Sequence, residues 1–399
     1  MKKITLKKIK HFVTWWFVYW RWELLYHLLY KILPIDNRLV CSISWKGKYF
    51  NCNPQAIASY LSQHKMLKLK IVAVVDYPQQ YKLQFPDIKF VKTKSIGHLL
   101  AQLSCKIFIA NVRMAEFEKK KGQYYIQTWH GMGPKKSEKD SSDTLSSDYI
   151  NNAKYDCYQT DLMLSGSQWQ TDWIKKSTWY KGKILEVGTP RDDCFFHTNV
   201  YLIMKNKVYS TYKINPSVKL VLFAPTFRSA GEIAQNSIDV DDLLNAFSRK
   251  FGEEYALLLR LHPNVAKQPL PEIYSKYLSS KVYNATLYPD MQDLLCAADV
   301  LVTDFSSVST EFVMQDKPCF LYIPDYDTYD RGLYFKPNEM PFPYSYNNKD
   351  LIEKILNFNM DYYLENLSSY KMRIGMVEKG NACEKILDFL MKNLIVRPC

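Results

Sequence analysis

Two histidines in this 399-residue chain stand where a short apolar run gives way to glycine or to other polar groups. His130 lies in Thr128-Trp129-His130-Gly131-Met132-Gly133-Pro134-Lys135, and His262 in Arg260-Leu261-His262-Pro263. A histidine at the end of a strand, followed by glycine, can approach a substrate closely and take a proton from an attacking hydroxyl. The bland alternative for His130 is a turn histidine bonded to backbone. Arg260 and His262 share their strand end with nothing acidic. Together with Thr226 and Arg228 of Phe223-Ala224-Pro225-Thr226-Phe227-Arg228 they offer the charge-assisted donors that suit a pyrophosphate.

Four further segments carry candidate groups. Thr303-Asp304-Phe305-Ser306-Ser307 leads into a helical pattern carrying Glu311, and serine hydroxyls at a helix start serve either as caps or as anion ligands. In Gly188-Thr189-Pro190-Arg191-Asp192-Asp193 the turn is stiffened by proline, and Arg191 has either Asp193 or a ligand phosphate to meet. Asp239-Val240-Asp241 and Asp325-Tyr326-Asp327 have the D-x-D spacing of metal-using transferases, but read better as a helix start and a turn. No P-loop, full G-x-G-x-x-G or G-x-S-x-G occurs, and no metal or cofactor is expected.

These groups need strands that end together. Leu39–Trp45, Leu69–Val75, Ile88–Val91, Lys106–Ala110, Tyr124–Trp129, Leu162–Ser165 and Ile184–Val187 read as buried strands, with helices over Pro54–His64 and Ser95–Ser104. A second series follows a polar linker expected around Asn206–Ser217. Its strands are Val221–Pro225, Tyr255–Leu261, Val282–Tyr283, Val300–Thr303 and Cys319–Ile323, and its helices Asp241–Phe251, Met291–Ala297 and Ser307–Gln315. This is an α/β pattern with parallel sheets in two Rossmann-like units, each candidate segment following a strand and facing a central cleft. A last helix, roughly Met376–Leu394, is expected to cross back to the first unit.

The net charge of +13 asks for an anionic partner. Nucleic acid is disfavoured, because no zinc-finger spacing, RNA-binding aromatic motif or basic zipper is present. Lysines crowd the first ten residues instead. At helical spacing Leu6, Ile9, Val13, Trp16, Phe17, Trp20 and Leu24 share one face, opposite Lys3, Lys7, Lys10 and Arg21. The stretch is too short and too charged to span a bilayer, so residues 1–33 read as an amphipathic helix on an anionic membrane surface, or else one packed on the protein itself. Nine cysteines without framework spacing point to reduced thiols.

Taken in order, the segments resemble the CDP-glycerol glycerophosphotransferase family, which makes teichoic acids and related polyol-phosphate polymers. The resemblance runs from Leu33-Pro34, Gly47-Lys48 and Asn53-Pro54 through Trp-His-Gly, Gly-x-Pro-Arg, Ala-Pro-Thr-Phe-Arg, Arg-x-His-Pro and Thr-Asp-Phe-Ser-Ser to Lys317-Pro318 and Arg331-Gly332-Leu333-Tyr334. It implies a GT-B fold, with residues 34–205 as the acceptor domain, 218–375 as the CDP-polyol domain and 376–399 as the returning helix. It implies a CDP-glycerol or CDP-ribitol donor, a polyprenyl-linked or glycan acceptor, and a peripheral place on the cytoplasmic face of the membrane. His130 would be the general base. Arg260, His262, Ser306 and Ser307 would hold the pyrophosphate, with Thr226, Arg228 and Asp304 near it and Glu311 on a ribose hydroxyl. Gly131, Lys135 and Arg191 would contact substrate. The family's Trp-His-Gly-Thr-Pro-Leu-Lys is here Trp-His-Gly-Met-Gly-Pro-Lys, which alters the wall of the loop. A sugar-nucleotide glycosyltransferase shares the expected fold and is the competing enzymatic reading. A non-catalytic membrane scaffold is opposed by the retained histidines, serines and arginines.

Overall fold

A computed structural model describes residues 24–226, 237–262, 265–266, 268–329 and 332–394. Its frame is two parallel sheets. The first contains β1 (Asp36–Ile43), β2 (Lys70–Val75), β3 (Lys89–Lys92), β4 (Cys105–Ala110), β5 (Tyr124–Gln127), β6 (Leu162–Ser165) and β7 (Lys183–Glu186) in the order β3-β2-β1-β4-β5-β6-β7. The second contains β8 (Lys219–Ala224), β9 (Tyr255–Leu259), β10 (Val282–Asn284), β11 (Val300–Thr303), β12 (Cys319–Tyr322) and β13 (Tyr344–Ser345) in the order β10-β9-β8-β11-β12-β13. Runs such as Lys-Leu-Val-Leu-Phe-Ala in β8 and Tyr-Ala-Leu-Leu-Leu in β9 are apolar without alternation because both faces of a parallel strand are covered. Each sheet reverses direction at one place, between β1 and β4 and between β8 and β11. Crevices outside the carboxyl ends of strands at such reversals are where open α/β sheets bind ligands.

Several expected bounds move. The β1 and β5 strands stop short of Trp45 and Trp129, whose φ values of 50° and 56° turn the chain out of the sheet. The expected linker at Asn206–Ser217 is instead largely the end of a helix, Thr198–Tyr212, which packs against Met291–Ala297 and is tied there by Lys207 to Asp293 at 2.6 Å. The pattern over Ser307–Gln315 splits into a helix at Val308–Phe312 and a 3-10 turn at Val313–Gln315. The last helix is Ala382–Asn393, preceded by a separate one at Met360–Arg373, with left-handed Gly375 and Gly380 between them. Ile386, Leu387 and Leu390 of the last helix are buried in the core on one side of the first sheet, beside Ile57 and Leu61.

Of the amphipathic helix expected over residues 1–33, residues 1–23 lie outside the described residues. Residues 24–32 are helical. Lys120 Nζ donates to the Leu33 carbonyl at 2.8 Å and Tyr30 Oη to the Lys119 carbonyl at 3.4 Å, fastening this turn to the first sheet's unit. Its Leu24, Leu28 and Ile32 remain 71, 55 and 62% exposed on one stripe. Among the described residues no helix is long and apolar enough to cross a membrane. The eight described cysteines are buried and unpaired.

Candidate active site

His130 sits just past β5, where Trp129 and Gly131 both have positive φ and lift the imidazole out of the sheet. Its Nδ1 lies 2.7 Å from the Asn111 carbonyl, just past β4. A carbonyl only accepts, so Nδ1 carries the proton and Nε2 is left with a lone pair. The ring stacks on Trp129 at 4.7 Å between centroids and leans on Trp45, past β1, at 5.0 Å. Trp45 is held in turn by Asn111 Oδ1 on its backbone N–H and by Asn51 Oδ1 on its indole, both at 2.8 Å. Burial pushes the His130 pKa down to about 4. The Asn111 bond works the other way, and the cations of Arg191 and Arg113 reinforce the fall. The histidine is therefore bonded to backbone, as the bland reading had it, and in the tautomer a base requires.

Arg191 does not meet Asp193. Asp193 instead accepts the Ala382 and Cys383 N–H groups at 2.9 Å, capping the last helix. Arg191 turns inward: its Nη2 donates to the His130 carbonyl at 3.0 Å and ion-pairs with Glu311 at 2.5 Å, and its Nη1 reaches Cys52 Sγ at 2.9 Å. The other Glu311 oxygen accepts from Gln292 at 2.6 Å, so both oxygens of the expected ribose ligand are engaged by protein. Gly131 lies against this pair. A Cβ there would stand 2.8 Å from Arg191 Nη2 and 3.1 Å from Glu311 Oε1, and its φ is +110°, so only glycine fits.

Across the cleft, Asp304 accepts the Thr226 N–H at 3.0 Å and its hydroxyl at 2.7 Å, bracing the ends of β8 and β11 against each other. Arg260 Nη1 donates to the carbonyls of Ala285, Thr286 and Tyr288 at 2.6, 2.6 and 2.8 Å. That nitrogen shapes the loop after β10, while these bonds leave Nη2 and Nε unused. Ser307 precedes the Val308–Phe312 helix without capping it by its side chain, and Ser306 Oγ accepts only a long 3.4 Å contact from the Val308 N–H. Plain capping thus explains neither hydroxyl well. Arg228 lies outside the described residues. Asp239 of the first D-x-D caps the Val240–Phe251 helix through the Asp242 N–H, while Asp241 pairs with Lys281 at 2.8 Å.

His262 is surrounded by like charge. Its pKa is lowered by burial first, then by Lys135, Arg260 and Lys48. Lys135 belongs to the glycine loop, which makes an antiparallel bridge to Leu333. On either side of that bridge Lys136 donates its N–H to the Gly332 carbonyl at 2.8 Å, and Tyr334 its N–H to the Pro134 carbonyl at 2.6 Å. Cations contributed by both sheets' units therefore converge on one histidine. Lys48, on a turn after β1, was quoted only for the resemblance and given no role in the site. Trp45 and Asn111 were missed because each acts through His130. Asn53 was quoted only for the resemblance. It accepts the Arg191 N–H at 3.1 Å and donates to the Trp129 carbonyl at 3.1 Å, joining the two turns.

Residues 25–392 match the model of the CDP-Glycerol:Poly(glycerophosphate) glycerophosphotransferase family. The chain is 27% identical over 386 residues to a teichoic acid poly(glycerol phosphate) polymerase of Bacillus spizizenii strain W23, covering 92% of this chain and 96% of that one. It is 27% identical over 390 residues to a teichoic acid glycerol-phosphate transferase of Staphylococcus aureus, covering 93 and 98%. A solved variant of the wall teichoic acid polymerase TagF shares the fold with a TM-score of 0.78 at 23% identity, over 93% of this chain and 92% of that one. The ordered motifs, the GT-B-type pair of sheets and the match along nearly the whole chain agree: this protein belongs to the CDP-glycerol:poly(glycerophosphate) glycerophosphotransferase family and is a teichoic-acid-type polyol-phosphate transferase.

Proposed function

We propose that the chain moves glycerol phosphate from CDP-glycerol to a hydroxyl of a membrane-linked or cell-surface glycan acceptor, releasing CMP. The observation that carries this reading is the pairing of a neutral His130, its Nε2 lone pair set by the Asn111 carbonyl, with a cluster of cations around His262. The acceptor oxygen attacks the phosphorus that bears glycerol, and its proton passes to His130 Nε2. The bond from that phosphorus to the bridging oxygen breaks, and CMP leaves with the electron pair. Phosphoryl transfer needs little covalent help from protein, so positioning and charge neutralisation supply most of the acceleration. Lys48, Lys135, His262 and the hydroxyls of Ser306 and Ser307 take the pyrophosphate charge. Burial first, and then the neighbouring cations, hold the His262 pKa down, and a bound pyrophosphate opposes the second of these by favouring the protonated ring. Arg260 and the Thr226–Asp304 brace hold the strand ends that present these groups. Glycerol is favoured over ribitol because both relatives named above are glycerol-phosphate enzymes.

The same reading places the enzyme peripherally on the cytoplasmic face of the membrane. The exposed Leu24, Leu28 and Ile32 stripe, continuous in sequence with the lysine-rich start, supports it. CMP release assayed over CDP-glycerol, CDP-ribitol and sugar nucleotides tests the donor. Turnover of CDP-glycerol with loss in His130→Ala is expected, and UDP or GDP release in place of CMP would overturn the reading. Removal of residues 1–33 is expected to abolish sedimentation with anionic vesicles. Undiminished sedimentation would overturn the membrane part.

A further inference from the structure

We propose that Arg191 and Glu311, assisted by Thr310, form a latch across the cleft through which the donor-side helix positions the His130 loop. The inference rests on His130 being the base, but its geometry is independent of which donor is used. Arg191 comes from the turn after β7 and Glu311 from the Val308–Phe312 helix, so their ion pair joins the two sheets' units. The same Nη2 that meets Glu311 holds the His130 carbonyl. One position before Glu311, Thr310 Oγ1 lies 2.7 Å from the Met132 carbonyl and equally 2.7 Å from the Ser307 carbonyl of its own turn, so its one proton is shared between them. The carbonyls on both sides of Gly131 are thus held by neighbouring residues of one short helix, the first through Arg191 and the second directly.

Both members of the pair are nearly out of solvent, with side chains 9 and 6% exposed. The cluster is not fully satisfied. Arg191 Nε and Asp192 Oδ2 are buried without a hydrogen-bond partner, and Arg191 Nε stands 3.8 Å from Asp192 Oδ1. A buried pair of this kind is worth little net stability, because its attraction mainly repays the loss of hydration. Parting the domains would return both charges to water at small cost, whereas closing them fixes the loop. Ser306 and Ser307 immediately precede this helix, so the element that meets the donor also sets the base. In the parted enzyme the Gly131 loop would lose its Thr310 contact and Arg191 its counter-charge, and a bound donor would not be spent on water. Arg191 and Glu311 are therefore positioning residues, and neither is a ligand of the ribose or the acceptor.

Glu311→Gln, Glu311→Ala, Arg191→Lys and Thr310→Val, compared by steady-state CMP release and by hydrogen–deuterium exchange, test the latch. The expected kcat falls by about tenfold in Glu311→Gln and about a hundredfold in Glu311→Ala, the scale of a misplaced catalytic group. Donor KM is expected to stay within about threefold, the split of an interaction made on the way to the transition state. The double variant Arg191→Lys/Glu311→Gln is expected to be no worse than the poorer single one. Exchange at the amides of Gly131 to Gly133 is expected to quicken in Glu311→Gln and Thr310→Val but not in His130→Ala. A large rise in donor KM with kcat intact would make Glu311 a donor ligand and overturn the proposal, as would multiplying single effects or unchanged exchange. If CDP-glycerol is not turned over at all, the donor reading fails, and the exchange result still decides the latch.

Discussion

His130 offers the sharpest quantitative test. A free imidazole has a pKa near 6.5, and in this site burial, aided by Arg191 and Arg113, brings it to about 4. At pH 6 an ordinary histidine is only about one quarter neutral, whereas one with a pKa of 4 is about 99% neutral. The base is thus ready throughout the range in which a free imidazole would fail, and the acid limb set by it belongs near pH 4. Because the folded pKa lies below the unfolded one, the native state binds fewer protons between pH 6.5 and 4. Its stability falls as pH drops through that window, by at most about 3 kcal/mol below pH 4. The ring keeps an exposed edge, so the realised cost is smaller than this ceiling. Histidine NMR titration, with the resonance assigned by its loss in His130→Asn, reads the pKa directly. Urea unfolding of wild type and His130→Asn at pH 7 and pH 4.5 reads the linked stability, with the variant expected to lose less on acidification. A His130 resonance titrating at pH 6 or above would refute both the burial argument and the readiness of the base.

Three other outcomes follow from contacts away from His130. Glu378 accepts from Thr189 through both oxygens at 2.9 and 2.7 Å, yet burial raises its pKa to about 7 from 4.5. A raised acid pKa gives stability that is whole below pH 4.5 and is lost as pH climbs to 7, so Glu378→Gln should gain up to about 3 kcal/mol on wild type between pH 5 and pH 8 in denaturant titrations. Tyr334 Oη joins Trp173 Nε1 at 2.8 Å and Asp140 at 2.7 Å across the domains, and Tyr334→Phe should cost about 1–3 kcal/mol in the same assay by orphaning the indole donor. Lys48 is exposed, so Lys48→Ala should raise donor KM by roughly fivefold at low salt, about 1 kcal/mol, and by less at high salt, read by CMP release at two ionic strengths.

Strands were the most legible part of the fold, because an unbroken apolar run bounded by polar residues admits few other readings in a chain of alternating elements. β6 and β11 have the bounds their sequences predicted. Helices lying against only part of the surface were not legible. Thr198–Tyr212 buries little beyond Val208 and Tyr209 and leaves Val200, Leu202 and Ile203 exposed, so it has no apolar stripe to find. Ser147–Gln159 and Gln168–Ser177 are polar helices announced only by their capping serines, Ser146 and Ser167. In the site, residue types were readable and partnerships were not. The sequence places a histidine after β5, but the carbonyl that fixes its tautomer comes from Asn111, just past β4, and that meeting exists only in the folded sheet. Arg191 was given Asp193 or a ligand phosphate and Glu311 a ribose hydroxyl, because a lone charge at a strand or helix end gives no sign that its counter-charge lies 120 positions away in the other domain.

The returning Ala382–Asn393 helix has a consequence for how the protein is made. The first sheet's core contains residues from this last helix as well as Ile57 and Leu61, so it lacks part of its apolar packing until nearly the whole chain has left the ribosome. The second sheet's core is drawn from one continuous stretch whose last buried members, Tyr363 and Leu367, precede that helix. Synthesis order and assembly order are thus reversed: the domain made first is completed last. A chain cut before Ala382 would keep every buried residue of the second unit's core while the first still shows an apolar face, a natural point for chaperone engagement.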